Sequence, residues 1–208
     1  TAQRSGYKGA VTVYDASGSE VIQISLSSTF VVDAALSPDC KTVAVVTMDQ
    51  EGGTFLSQVL FFPVDQKEPK AQVSLGSVTV LDLDYEDGLL WVLGEDRVMT
   101  LSDDGKSANS YPFGRSYLKG CDFGGEGFAL LLLGRYRAGS ANQVMTIDPE
   151  GEVRSSMELR SQVLDFDSAG GYCSLLTGSR LTIYTPELVE YDRLGDIQGA
   201  RYTALSSN

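Results

Sequence analysis

Five short stretches of this chain repeat one design, a run of apolar or alternating residues that ends on a turn. They are residues 11–14 before Asp15-Ala16-Ser17-Gly18, 59–62 before Pro63-Val64-Asp65, and 98–101 before Ser102-Asp103-Asp104-Gly105. Residues 144–147 before Asp148-Pro149-Glu150-Gly151 and 181–184 before Thr185-Pro186-Glu187 complete the set. A unit this short cannot bury its own apolar face, so copies of it must stack side by side.

The text between the copies repeats too. After each turn comes a more polar strand: 21–26, 71–75, 107–113, 153–159 and 188–194. Its alternation suits an outer strand with one face in water. An apolar strand carrying acidic residues follows at 31–36, 80–85, 119–123, 163–167 and 200–205. A tight turn then leads into near-continuous apolar runs at 43–46, 89–93, 128–133 and 172–176. Such runs belong to strands buried on both faces. The order inner, apolar, alternating, outer describes a propeller blade, and it recurs at spacings of 48, 39, 46 and 37 residues, around the blade length of about 40 to 45 residues of that architecture.

No stretch carries the i, i+3, i+4, i+7 apolar spacing of a helix. The sequence therefore predicts an all-β fold, a β-propeller of four full four-stranded blades plus a partial fifth. The predicted divisions of one domain over 1–208 are a partial blade at 1–29, blades at 30–77, 78–115, 116–161 and 162–197, and an inner strand at 198–208. Read this way, the chain opens at the third strand of a blade and stops after an inner strand. Either its ends meet in an incomplete fifth blade, or it is an arc of a larger ring. An arc would expose an apolar blade face at each end and favour a dimer.

Charge and residue choice remove several activities. With 16 Lys and Arg against 28 Asp and Glu, the net charge is -12, and no basic stretch offsets it, which argues against nucleic acid as a partner. The absence of histidine excludes His-based triads and His-ligated zinc. Cys40, Cys121 and Cys173 are odd in number and widely spaced, so they read as small turn or core residues, not a disulfide framework. The longest apolar run, 128–133, is far short of the roughly 20 residues a membrane span requires. Trp91 lies inside an apolar run and reads as core. Nothing calls for a cofactor.

One turn carries a family signature. Asp33, followed by Leu36-Ser37-Pro38-Asp39-Cys40-Lys41-Thr42-Val43-Ala44, resembles the DxxxSPDGKxLA pattern of WD40 and TolB-like propeller repeats. Cys40 stands where that pattern has glycine, which predicts strain. The segments Gly6-Tyr7-Lys8-Gly9-Ala10-Val11-Thr12-Val13-Tyr14-Asp15 and Gly134-Arg135-Tyr136-Arg137-Ala138-Gly139-Ser140 resemble an uncharacterised propeller family of Gram-positive bacteria more closely. That resemblance implies an extracytoplasmic protein, held by a membrane anchor and further blades upstream. It brings no catalytic residues.

Two connections between second and third strands are short, at Gly94-Glu95-Asp96-Arg97 and Thr177-Gly178-Ser179-Arg180. Two are long, at 49–58 with Gly52-Gly53, and at 134–143. In a four-stranded meander these connections share a face with the links between blades. Arg97, Arg115, Tyr117, Arg135, Tyr136, Arg137 and Arg180 fall there. Interfaces enrich arginine and tyrosine, so Arg97, Tyr117, Arg135, Tyr136, Arg137 and Arg180 are the candidate binding residues. The competing expectation is that the long connections are hairpin extensions whose side chains pack on neighbours.

The inner strands also hold aspartates in two columns, Asp33, Asp82 and Asp165, then Asp84, Asp122 and Asp167. They could line a channel that holds a hard cation, or accept hydrogen bonds from backbone. Residues 82–88 brush against a calcium loop but lack its closing Glu, since Leu93 falls there. Ser5-Gly6-Tyr7-Lys8 and Ser116-Tyr117-Leu118-Lys119 match a serine–lysine pattern without the helix that chemistry needs. Gly124-Gly125-Glu126-Gly127 reads as a turn. The sequence thus predicts a non-catalytic propeller that presents a loop face to a protein or cell-surface partner. The alternative is a carbohydrate- or small-ligand-binding propeller, with or without calcium. A two-carboxylate glycosidase is the third reading, weakened because the aspartates recur in nearly every repeat.

Overall fold

The computed structural model describes residues 8–206. Eighteen strands fill it, and no helix occurs among the described residues, so none is long and apolar enough to cross a membrane. The first two strands, β1 (Gly9–Tyr14) and β2 (Glu20–Leu26), pair only with each other. Four four-stranded meanders follow. One contains β3 (Phe30–Leu36), β4 (Thr42–Glu51), β5 (Thr54–Pro63) and β6 (Ala71–Gly76). The next contains β7 (Val80–Glu86), β8 (Leu89–Gly94), β9 (Arg97–Leu101) and β10 (Ala108–Pro112). Then come β11 (Tyr117–Gly125), β12 (Phe128–Gly134), β13 (Gln143–Ile147) and β14 (Val153–Glu158). The last holds β15 (Val163–Ala169), β16 (Tyr172–Thr177), β17 (Arg180–Tyr184) and β18 (Glu190–Gly195). The chain divides into two compact units at the β7–β10 sheet. Unit 1 runs up to Glu95 and includes Met99–Ala108; unit 2 is Asp96–Val98 with the residues from Asn109 onward.

In unit 1, the middle strands of the β3–β6 sheet serve two cores at once. Ala44, Val46, Val59 and Phe61 pack with Leu83, Leu90 and Val92 of β7 and β8. Val43, Val45, Leu60 and Phe62 turn the other way, onto Ile22 and Ile24 of β2. Successive side chains of a strand point to opposite faces, so a continuous apolar run is what two-sided burial requires. Trp91 is 2% exposed, as its neighbours predict.

The turn after β3 is built from its own side chains. Ser37 Oγ donates to Asp39 Oδ1 at 2.7 Å and accepts from Thr42 N–H at 2.9 Å, while Cys40 N–H donates to the Ser37 carbonyl at 2.8 Å. Cys40 has φ 57°, the left-handed region that penalises a Cβ. The turn between β9 and β10 repeats this wiring with Ser102, Asp104 and Ser107, and there Gly105 occupies the left-handed position at φ 68°. In each turn the serine hydroxyl holds the aspartate below the usual carboxylate range.

Each inner strand contains a bulge. Register slips between Val31 and Asp33, Val80 and Asp82, Leu118 and Gly120, and Val163 and Asp165. A bulge re-aims the extra residue. Val32 and Leu81 of unit 1 and Leu164 of unit 2 accordingly end up exposed.

In unit 2, the β12 residues Phe128, Leu130 and Leu132 pack with Cys173 and Leu175 of β16. Successive inner strands are joined by carboxylates. Asp122 Oδ2 on β11 accepts from Ser168 N–H of β15 at 2.5 Å and from Ser168 Oγ–H at 2.6 Å. Asp165 and Asp167 of β15 do the same for the next segment, accepting from Thr203 N–H at 2.8 Å and Leu205 N–H at 2.5 Å. Gly124 makes this closeness possible, since a Cβ there would meet the Ser168 carbonyl oxygen at 2.3 Å. The expected inner strand at 198–208 is corrected here: the described residues from 196 to 206 form no strand. Among these residues the Thr203 and Leu205 N–H groups donate to side-chain carboxylates, not to a strand ladder.

Candidate functional site

The six predicted binding residues all belong to unit 2. The β12–β13 connection carries three of them. Its base is closed by Asn142, whose Oδ1 accepts from Arg135 N–H at 2.9 Å and whose N–H donates to the Leu133 carbonyl at 2.9 Å. Lys119, the extra residue of the β11 bulge, reaches across and donates from Nζ to the Arg137 carbonyl at 2.8 Å. This stem leaves Tyr136 75% exposed at the loop. Tyr117 starts β11 opposite Gly134 and is also exposed. The segment is therefore an irregular loop on a braced stem. The other long connection of the sequence, 49–58, is a hairpin extension: β4 and β5 pair as far as Glu51 and Thr54, and Gly52-Gly53 turns the chain with both φ positive.

Arg135 and Tyr136 line a cavity of 260 Å³ together with Asn142, Glu158 and Leu159. Arg135 Nη2 lies 3.6 Å from Glu158 Oε1, an exposed pair worth little by itself. Arg180 starts β17 and lines a second cavity of 570 Å³, which shares Glu158 and Leu159 with the first. The structure thus brings Arg135, Tyr136 and Arg180 onto one continuous surface, with Arg137 and Tyr117 adjoining on the same connection and strand. Arg97 differs: its guanidinium forms two 2.9 Å bonds with Asp96, which lowers the carboxyl's pKa and raises that of Arg97 through the same hydrogen bonds. Its charge is spent on its sequence neighbour.

The sequence reading missed Lys119 and Arg160, both of which line this surface. Arg160 sits in the short β14–β15 link, a place where its side of the sheet could have been read from the meander alone. The serine–lysine pattern at Ser116 and Lys119 enters a strand, so its two side chains have no helical turn to meet on; the copy at Ser5 extends outside the described residues. The aspartate columns are explained by hydrogen bonding. In unit 2 Asp122 bridges two inner strands and Asp165 and Asp167 hold the segment at 203–205, and in unit 1 Asp33, Asp82 and Asp84 each accept from the N–H of the residue that follows.

The meanders, their two-sided middle strands and their serine–aspartate turns define a β-propeller of the WD40 and BamB kind. Solved structures agree. Kluyveromyces lactis Hsv2p matches with a TM-score of 0.57 and 11% identity over 89% of this chain and 57% of its own. BamB from Moraxella catarrhalis matches at 0.53 and 13% identity over 97% of this chain and 62% of its own. The C-terminal WD40 domain of Sif2 matches at 0.50 and 8% identity, covering 95% and 66%. The chain therefore spans less than two thirds of Hsv2p and BamB, and at these identities the likeness concerns fold alone. Residues 2–189 match the family described as "Family of unknown function (DUF5711)", and the chain belongs to that family. No curated protein matches it.

Proposed function

We propose that this chain is a non-catalytic propeller scaffold that docks a protein or cell-surface partner on the loop face of unit 2. Following the resemblance of 134–140 to anchored bacterial propellers, we read that docking as extracytoplasmic. The observation that carries the reading is Tyr136, a large aromatic held out in solvent on a braced loop beside Arg135. Tyrosine and arginine are enriched among the residues that dominate interface energetics, tyrosine because it gives much contact for little ordering cost and arginine because its planar fork makes several directed hydrogen bonds.

The test compares wild type with Tyr136→Ala and Arg135→Ala in capture from extracts of the source cells, followed by rebinding of the purified partner. The variants are expected to keep the thermal midpoint and to bind at least about tenfold more weakly. Unchanged capture refutes the proposal, and parallel loss of folding makes the two residues structural. Calorimetric heat from glycans or Ca²⁺, with no protein captured, would favour the small-ligand alternative.

A further inference from the structure

Beside the Tyr136 loop lies the 570 Å³ hollow between the end of β14 and the β15–β17 side of the next sheet. Its apolar part is Leu159 and Val163, half-buried against the core cluster that contains Leu175, set among Ser161, Thr177, Ser179 and Thr182. Its charged lining is Arg160, Arg180 and Glu158. Glu158 is engaged by Arg135 at 3.6 Å. Among the described residues neither Arg160 nor Arg180 has an acidic side chain within ion-pairing distance. Four other arginines of the unit do: Arg97 with Asp96, Arg135 with Glu158, Arg154 with Glu187 and Arg193 with Glu190. On a protein of net charge -12, these two guanidiniums meet at one hollow without an acidic partner.

The hollow is also part of a track. It shares Val163 with a 420 Å³ cavity that Lys119 lines, and that cavity shares Leu164 with a 460 Å³ cavity lined by Arg201 and Tyr202. Asp165, the acid in the middle cavity, already accepts Thr203 N–H. Basic side chains therefore recur along an elongated surface: among the described residues, Arg160, Arg180 and Arg201 without ion-pair partners, and Lys119 bonded only to the Arg137 carbonyl. A compact ligand would use one hollow. A chain in extended conformation presents side chains to alternating sides and can use several.

We infer that this track binds an extended acidic peptide in which carboxylate and aliphatic side chains alternate. Arg160 and Arg180 take the carboxylates in the planar, two-bond manner guanidinium favours. Leu159 and Val163 take the aliphatic side chains. An acidic glycan shares the charge, and Tyr184, Phe166 and Tyr202 along the track offer it ring planes, so the oligogalacturonate arm of the test separates the two ligands. The inference rests on the reading of this face as a docking face and names the chemistry of its partner.

The test is fluorescence anisotropy with a neutral-dye-labelled peptide of alternating Glu and Leu, its Lys–Leu counterpart as control, and an oligogalacturonate as competitor. The Glu–Leu peptide is expected to bind, to weaken as salt is added, and to lose about tenfold or more in affinity in the Arg160→Glu/Arg180→Glu double variant. That variant is expected to gain affinity for the Lys–Leu peptide. Both arginines are exposed, so folding should survive; if the reversal does not fold, Arg160→Gln/Arg180→Gln carries the same comparison. Unchanged affinity on charge reversal, equal binding of both peptides, or binding of the oligogalacturonate alone overturns the inference. If Tyr136→Ala leaves partner capture intact while peptide binding still requires Arg160 and Arg180, the docking role of Tyr136 fails and the inference stands. The converse result defeats this inference alone.

Discussion

Replacing Asp122 by alanine tests how the sheets of unit 2 are held together. One carboxylate oxygen takes both the N–H and the hydroxyl of Ser168, and Ser168 is 3% exposed. A hydrogen bond to a charged group contributes about 1.5–3 kcal/mol, and a buried donor left without a partner costs about 1–3 kcal/mol. The hydroxyl can rotate toward another acceptor, but the N–H is fixed by the strand. Asp122→Ala should therefore cost about 2–4 kcal/mol. Asp122→Asn keeps an acceptor and loses its charge, so about half that loss is expected. In urea, with a slope of about 2–3 kcal/mol per molar, the alanine variant's midpoint falls by about 1 M. A cycle with Ser168→Ala separates the two bonds: about 1 kcal/mol of coupling belongs to the hydroxyl, and the rest of the alanine cost persists in the Ser168→Ala background. An Asp122→Ala cost below about 0.5 kcal/mol, the range of an ordinary surface change, refutes the reasoning. So does equal loss from alanine and asparagine.

Two further predictions concern the cysteines. Cys40→Gly relieves a left-handed Cβ in a turn that already uses Gly105 at the matching place, and should stabilise by about 0.5–1 kcal/mol once the flexibility of the unfolded glycine is subtracted, read as a higher thermal midpoint. Cys173 is fully buried, and burial first, then the Asp122 charge, pushes its thiol up to about 12 from an ordinary 9. Because the folded state keeps that proton longer than the unfolded chain, its contribution is intact below about pH 9 and is lost as pH rises toward about 12. Urea titrations across that window should show falling stability, less steeply in Cys173→Ala, and native protein should alkylate at Cys40 while sparing Cys173. Some alkaline slope should survive in the variant, since Tyr85 also has its ionisation raised, by burial and by the hydrogen bond it donates to Asp103.

The meanders were legible because strand patterning and turn chemistry agree. Residues 43–46 and 59–62 must be buried on both sides, and Ser37-Pro38-Asp39 closes its own turn, so neighbours add little information. Other features depend on non-local partners. Nothing in the sequence near Val32, Leu81 or Leu164 marks a bulge, because the slip exists only relative to the paired strand. Residues 200–205 have the inner-strand pattern, yet pattern alone cannot supply a ladder. The two long connections looked alike, but only 49–58 continues its pairing to a glycine turn, while 134–143 is held by Lys119 and Asn142. Of the binding residues, exposure of Tyr136 followed from its loop, whereas the pairing of Arg97 with Asp96 and the freedom of Arg160 are set by geometry.

The carboxylate links of unit 2 reach mainly for amide hydrogens, and every amino acid except proline has one. A repeat joined to its neighbour in this way places almost no demand on which side chain the neighbour carries there. Successive copies can therefore drift apart in sequence while keeping their alignment. That freedom lets the segments of unit 2 keep one architecture with so little wording in common.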